Sequence, residues 1–129
     1  MELLLHKVCG QPAAFPVTIR RCGPADADAF YALQNEVRAA MPHPEQFVPD
    51  TLENITAYLT GDLCLGVYDG ARLGAYFILR YCGQSEHNYA ACLGVPKSEC
   101  DHWANADSAI VHPDWRGNGL QRAMLEAAL

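Results

Sequence analysis

The chain has 129 residues, half of them hydrophobic and 19% charged, with a formal net charge of −6. That length supports one domain with one core, and that balance excludes a disordered chain. The acidic total offers no basic patch for nucleic acid, and no apolar run is long enough to span a membrane.

Met1 to Val8 reads as a short edge strand or a disordered lead, closed by Gly10-Gln11-Pro12. Its apolar start is too short for a secretory signal, and Lys7 follows it instead of preceding it. Cytoplasmic residence is the expectation. Residues 1–14 are thus a lead segment and residues 15–129 the folded domain. Phe15 to Arg21 is a strand with Val17 and Ile19 on one face, and Pro16 suits only its start or an edge. Gly23-Pro24 opens a helix, with Asp26 and Asp28 in its first turns where the dipole favours acids. Phe30, Leu33, Val37 and Met41 recur at helical spacing until Pro42 and Pro44 end the run. After a linker to Pro49, Asp50 caps a second helix with Glu53 three residues on. Leu52, Ile55 and Leu59 form its stripe, and Gly61 stops it.

Residues 62–68 alternate Leu63, Leu65 and Val67 with Cys64, Gly66 and Tyr68, which predicts a strand. Asp69-Gly70 is a type I′ turn signal, and Leu73, Ala75, Phe77, Leu79 and Tyr81 alternate through the return strand. Residues 82–103 read as a loop with one short helix, and a loop of that length is often functional. Ala104 to Val111 is a further strand. Six cysteines at irregular spacing, without a Cys-x-x-Cys, predict free thiols and no metal site; Cys64 reads as a small buried hydrophobe.

The chemistry concentrates in Ser108 to Leu125. An apolar strand turns at His112-Pro113-Asp114, passes through Arg116-Gly117-Asn118-Gly119, and enters a run of helix formers from Leu120 to Leu129. Strand, glycine loop and helix together make an anion site. The first helical N–H groups lack intrahelical partners, and the helix dipole stands behind them. The Gly-Lys-Ser/Thr of a nucleotide-triphosphate loop is absent, and Arg122 stands where a dinucleotide fingerprint needs its third glycine.

The segment Val111-His112-Pro113-Asp114-Trp115-Arg116-Gly117-Asn118-Gly119-Leu120 resembles motif A of the GCN5-related N-acetyltransferases (GNAT). Their pattern is Val-x-Pro-x-aromatic-Arg-Gly-x-Gly-aliphatic-Gly/Ala. Gln121 departs from it at the last position. Ile19-Arg20-Arg21 and Pro24 to Ala29 also resemble the opening strand and first helix of that family, so the likeness covers about residues 15–129. The resemblance implies an α/β (α+β) fold with a mostly antiparallel sheet flanked by helices, in the order β-α-α-β-β-β-α. It further implies that the chain is truncated after the motif A helix, without the family's closing strands and helix. The sheet edge so exposed invites a homodimer.

By resemblance, acetyl-CoA is the donor cosubstrate and an amine the acceptor, with no metal. Ala109, Ile110 and Val111 would offer backbone groups to the pantetheine arm. Arg116, Gly117, Asn118, Gly119, Leu120 and Gln121 would hold the pyrophosphate, with Arg116 adding charge. Direct attack by a neutral amine needs a base and donors for the oxyanion. Relatives place a Glu on the strand before the glycine loop. Asp107 is the one carboxylate in that region here and the candidate base; it also reads as a solvated or hydrogen-bonded carboxylate. The family's acid is usually a Tyr beyond the end of this chain. Trp115 reads as packing under the loop, His112 as capping its turn or simply exposed, and Arg122 as a solvated helix residue. His87 and His102 flank the long loop and could face an acceptor, and Cys82, Cys92 and Cys100 lie in or beside it. A reading of another class is a non-catalytic acetyl-CoA-binding or interaction domain that has lost its acceptor half.

Overall fold

A computed structural model describes residues 1–6 and 14–129. Val8, Cys9 and the Gly10-Gln11-Pro12 stop lie outside the described residues. Five strands, β1 (Glu2–Leu5), β2 (Phe15–Arg21), β3 (Leu63–Asp69), β4 (Arg72–Arg80) and β5 (Asn105–Val111), form one sheet in that order, with every neighbouring pair antiparallel. Helices α1 (Ala27–Ala39) and α2 (Leu52–Gly61) connect β2 to β3. A short α3 (Tyr89–Cys92) lies between β4 and β5, and α4 (Leu120–Ala128) follows β5. The fold is the mixed α+β, antiparallel-sheet architecture expected. The lead segment contributes β1, which pairs with β2 at one edge of the sheet.

Both alternating sets in β3 and β4 are apolar because both faces of the sheet are covered, so neither set can face water. On one face Phe30, Leu33 and Val37 of α1 and Ile55 and Leu59 of α2 pack on Cys64, Tyr76, Ile78 and Ile110. Phe30 stacks on Tyr76 with ring centroids 4.4 Å apart. On the other face Leu120 and Met124 of α4 join Trp115 against Val17, Ile19, Val67, Ala75 and Phe77.

Two irregularities re-aim side chains. Val67 pairs with Ala75 and Tyr68 with Leu73, so Gly74 is an extra residue in β4, and Leu73 turns to the α1 side while Ala75 faces α4. Ile78 pairs with Ser108 and Leu79 with Ala106, so Asp107 is the extra residue in β5.

Several local expectations are corrected. The hairpin turn has positive φ at Gly70 (56°) alone, because Ala71 keeps the ordinary sign. That is the II′ requirement and not the I′ one. Thr51, not Asp50, caps α2: its hydroxyl accepts from the Asn54 N–H at 3.1 Å. Pro24–Asp26 form a 3₁₀ turn ahead of α1, and α1 ends at Ala39, before Met41 and the prolines. Tyr81 lies past β4 and is exposed, and Leu52 is exposed at the start of α2. The long loop holds a 3₁₀ segment at Lys97–His102 besides α3. It is tied down by two buried amides. Asn88 donates to the Gly83 and Cys100 carbonyls, and Asn105 donates to the His87 carbonyl while accepting from the Tyr89 N–H.

Candidate functional site

The site is built where β5 leaves the sheet. The His112 N–H donates to the Gly74 carbonyl at 2.8 Å, which continues the ladder one residue past Val111. Pro113 then starts a 3₁₀ turn, Pro113–Trp115. The buried His112 ring accepts from the Asp114 N–H at Nδ1 (3.1 Å) and contacts Glu36 Oε1 on α1 at Nε2 (2.7 Å). Nδ1 is thus an acceptor, and the tautomer that satisfies both contacts carries its proton on Nε2. Trp115 is fully buried, with Phe15 edge-on at 5.8 Å. It does pack beneath the loop. Its indole N–H has no hydrogen-bond partner among the described residues. Asn118 accepts from the His6 N–H and donates to the Trp115 carbonyl, both at 2.9 Å. The turn is thereby fixed to α1, to β4 and to the chain beyond β1.

Beyond this anchor Arg116 and Gly117 are exposed. Gly117 (φ 82°) and Gly119 (φ 69°) both adopt the left-handed conformation, and Gly119 is the N-cap of α4. A side chain would strain both positions, which is why the loop carries glycines. The turn delivers the chain into α4, whose first N–H groups have no intrahelical acceptor.

A groove of about 620 Å³ runs along this loop. One wall is Ala109, Ile110 and Val111 of β5 with Arg116, Gly117, Gly119, Leu120 and Gln121. These are all the residues expected to hold the cosubstrate except Asn118, whose side chain locks the loop from behind. The opposite wall is Val37, Met41, Pro42 and Phe47, which the sequence reading missed. Their signal was there: a helix stripe ending at Met41 runs straight into a proline-punctuated apolar linker. Among the described residues β5 pairs only with β4, and no described strand pairs with its other edge.

Asp107 lies two residues up β5 from Ala109, in a polar cluster. Its carboxylate is 3.8 Å from the Arg80 guanidinium and accepts from the Tyr89 hydroxyl at 3.2 Å. Arg80 in turn sits 4.8 Å over the Tyr58 ring. The Tyr58 hydroxyl donates to Asp50 Oδ1 at 3.4 Å. Burial raises the proton affinity of Asp50, opposed by the Tyr58 hydrogen bond and the Arg80 charge and assisted by the Asp107 charge, and burial likewise raises Tyr58. The Asp107 charge raises Tyr89. His87 and His102 are exposed. Arg122 pairs with Glu126 on the outer face of α4. Cys22, Cys64, Cys82, Cys92 and Cys100 are free thiols, and Cys64 is buried as expected. Among the described residues no three acidic, His or Cys side chains gather as a metal site, and no helix is long and apolar enough to cross a membrane.

No family model matches the chain, and neither does any curated protein sequence. Among solved structures, 87% of the chain superposes on 68% of a ribosomal-protein-alanine N-acetyltransferase from Brucella melitensis biovar Abortus 2308. The TM-score is 0.54 and the identity 18%. That likeness is one of fold: the chain has a GNAT-like fold.

Proposed function

We propose that the chain is an N-acetyltransferase domain, formed by residues 15–129 with the lead strand attached, which binds acetyl-CoA along β5 and transfers its acetyl group to an amine. The observation that carries this reading is the groove. It gathers an open strand edge, an exposed arginine, two left-handed glycines and a helix N-terminus along one path. A pantetheine arm carries amides that can pair with the free edge of Ala109–Val111 as an added strand would. The pyrophosphate then falls at Arg116 and the first turn of α4, where charge, dipole and unpaired N–H groups coincide. Val37, Met41, Pro42 and Phe47 shield the arm from water. Two residues along β5 from Ala109 is Asp107, whose charge acts on Asp50. A net charge of −6 favours cationic acceptors at long range.

The test is calorimetric titration of acetyl-CoA into the wild type and Arg116→Ala. Micromolar binding, weakened by about 1–3 kcal/mol in the variant as for a hydrogen bond to a charged group, supports the reading. A folded wild type that binds no acetyl-CoA overturns it. Thiol release is then followed with spermidine, free lysine and an alanine-leading peptide; the last is included because the structural relative is named for alanine.

A further inference from the structure

We propose that Asp50 is the proton acceptor for the attacking amine, and that Gln34 is the residue that positions it. The inference rests on the acetyl-transfer reading above. It begins with an anomaly in α1. Gln34 follows Leu33 and precedes Val37 on the core face, yet it is polar and only 1% exposed. Its amide is wholly used on one residue across the fold. Oε1 accepts from the Asp50 N–H, and Nε2 donates to the Asp50 carbonyl, each at 2.8 Å. A buried amide in an apolar stripe costs stability unless satisfied. Here it fixes both backbone groups of a single loop residue. The clamp holds the backbone and leaves the carboxylate to Tyr58, whose hydroxyl donates to Oδ1 at 3.4 Å.

That carboxylate does not serve the helix it precedes, since Thr51 caps α2. It also lacks an ion-pair partner within 4 Å among the described residues, whereas Asp107 beside it has Arg80 at 3.8 Å. The groups that face Asp50 are Tyr58 from α2, Tyr76 and Arg80 from β4, and Asp107 from β5. Gln34 from α1 meets only its backbone. Phe47, three residues earlier, lines the groove, so the clamped segment is continuous with the groove wall. A carboxylate destined to take a proton needs raised affinity and no close ion-pair partner. Burial and the Asp107 charge raise Asp50 against the Tyr58 hydrogen bond and the more distant Arg80 charge, and among the described residues no cation lies within 4 Å of it. Asp107 is committed to Arg80 and Tyr89.

The step balances as follows. The acceptor arrives as R–NH3⁺ and gives one proton to Asp50. The freed nitrogen pair bonds to the thioester carbonyl carbon as the C–S bond breaks. A second nitrogen proton leaves with the thiolate as CoA–SH, and the third stays on the amide. Asp50 returns its proton to water. The products are R–NH–CO–CH3, CoA–SH and one proton.

The test compares wild type, Asp50→Asn and Asp107→Asn, using acetyl-CoA and whichever amine of the panel turns over best. Asn at position 50 keeps the backbone clamp. The expected result for Asp50→Asn is a fall in kcat of about 10²–10⁴-fold, loss of the acid limb of the kcat/KM profile, and unchanged acetyl-CoA affinity by calorimetry. In the wild type the carboxyl carbon-13 resonance that Asp50→Asn removes should titrate above an unperturbed aspartate. Asp107→Asn should retain the limb. If Asp50→Asn turns over like wild type, or the limb disappears with Asp107 instead, the assignment is overturned while acetyl transfer stands. If wild type binds acetyl-CoA but releases no CoA with any amine, acetyl transfer itself falls, and the base assignment with it.

Discussion

The contact between Gly74 and Trp115 offers the sharpest test of how the sheet holds the glycine loop. A Cβ built on Gly74 would lie 2.2 Å from Trp115 Cε3 and Cζ3 and 2.5 Å from Cδ2. Carbon atoms rest at about 3.5–4.0 Å, so the ring would have to retreat by more than about 1 Å. It has nowhere to go. Trp115 is fully buried, Phe15 closes one side, and Leu120 and Met124 share its cluster. Two responses remain. Pushing β4 aside is over-packing, about 1–3 kcal/mol. Expelling the indole approaches the loss of a buried Trp, about 3–5 kcal/mol. Gly74→Ala should therefore destabilise the fold by about 3 kcal/mol, read from the midpoint of urea unfolding at unchanged slope. The cause is isolated by a double-mutant cycle with Trp115→Leu. With the ring gone, the added methyl has room, and Gly74→Ala should cost less than about 1 kcal/mol. Equal costs in both backgrounds would refute the close-packing argument, and so would a cost near zero in wild type.

The other predictions concern polar contacts. Asp26 accepts from the Arg20 guanidinium (2.8 Å), the Tyr68 hydroxyl (2.8 Å) and the Gly23 N–H (3.0 Å); chiefly the Arg20 bond holds its carboxyl down at about 2. Its unfolded value is about 3.9, so this stabilisation is fully present above about pH 4 and lost as pH falls toward 2. After allowance for the half-exposed Arg20, the loss is about 1–2 kcal/mol. Urea unfolding against pH should show it, and Asp26→Asn should remove that slope. Gln34→Ala leaves the Asp50 N–H and carbonyl without their partner and should cost about 2–4 kcal/mol by the same unfolding assay. Glu36→Ala removes the acceptor on α1 that His112 Nε2–H meets. It should cost about 1 kcal/mol of stability and loosen the loop, measurable as faster amide exchange at Trp115 and Arg116, whose N–H groups bond within the turn.

The features legible in the sequence are those that local chemistry determines. Val111 to Leu120 announces strand, turn and helix because Pro113, Gly117 and Gly119 each restrict or free the backbone in place, and Val111, Arg116, Gly117, Gly119 and Leu120 are among the residues that line the groove. The β3–β4 hairpin is legible for the same reason. What stayed hidden depends on partners far along the chain. His112 and Glu36 are 76 residues apart, and nothing near either residue announces the pair. Asp50 looks like a helix cap because Asp and Thr are both good caps and stand side by side. Tertiary structure decides between them, since Gln34 takes the Asp50 backbone and so leaves Thr51 to cap. The turn type at Gly70 is missed because the signal Asp-Gly assumes that both residues are central. The register makes Asp69 the last strand residue, paired with Arg72, and shifts the centre to Gly70-Ala71. Gln34, like the groove wall from Val37 to Phe47, is a hidden feature with a local trace. A glutamine amid Phe30, Leu33 and Val37 on a helix face breaks the apolar pattern. A break in that pattern is a demand for a partner, and here the partner is the backbone of Asp50, three residues beyond the groove-lining Phe47.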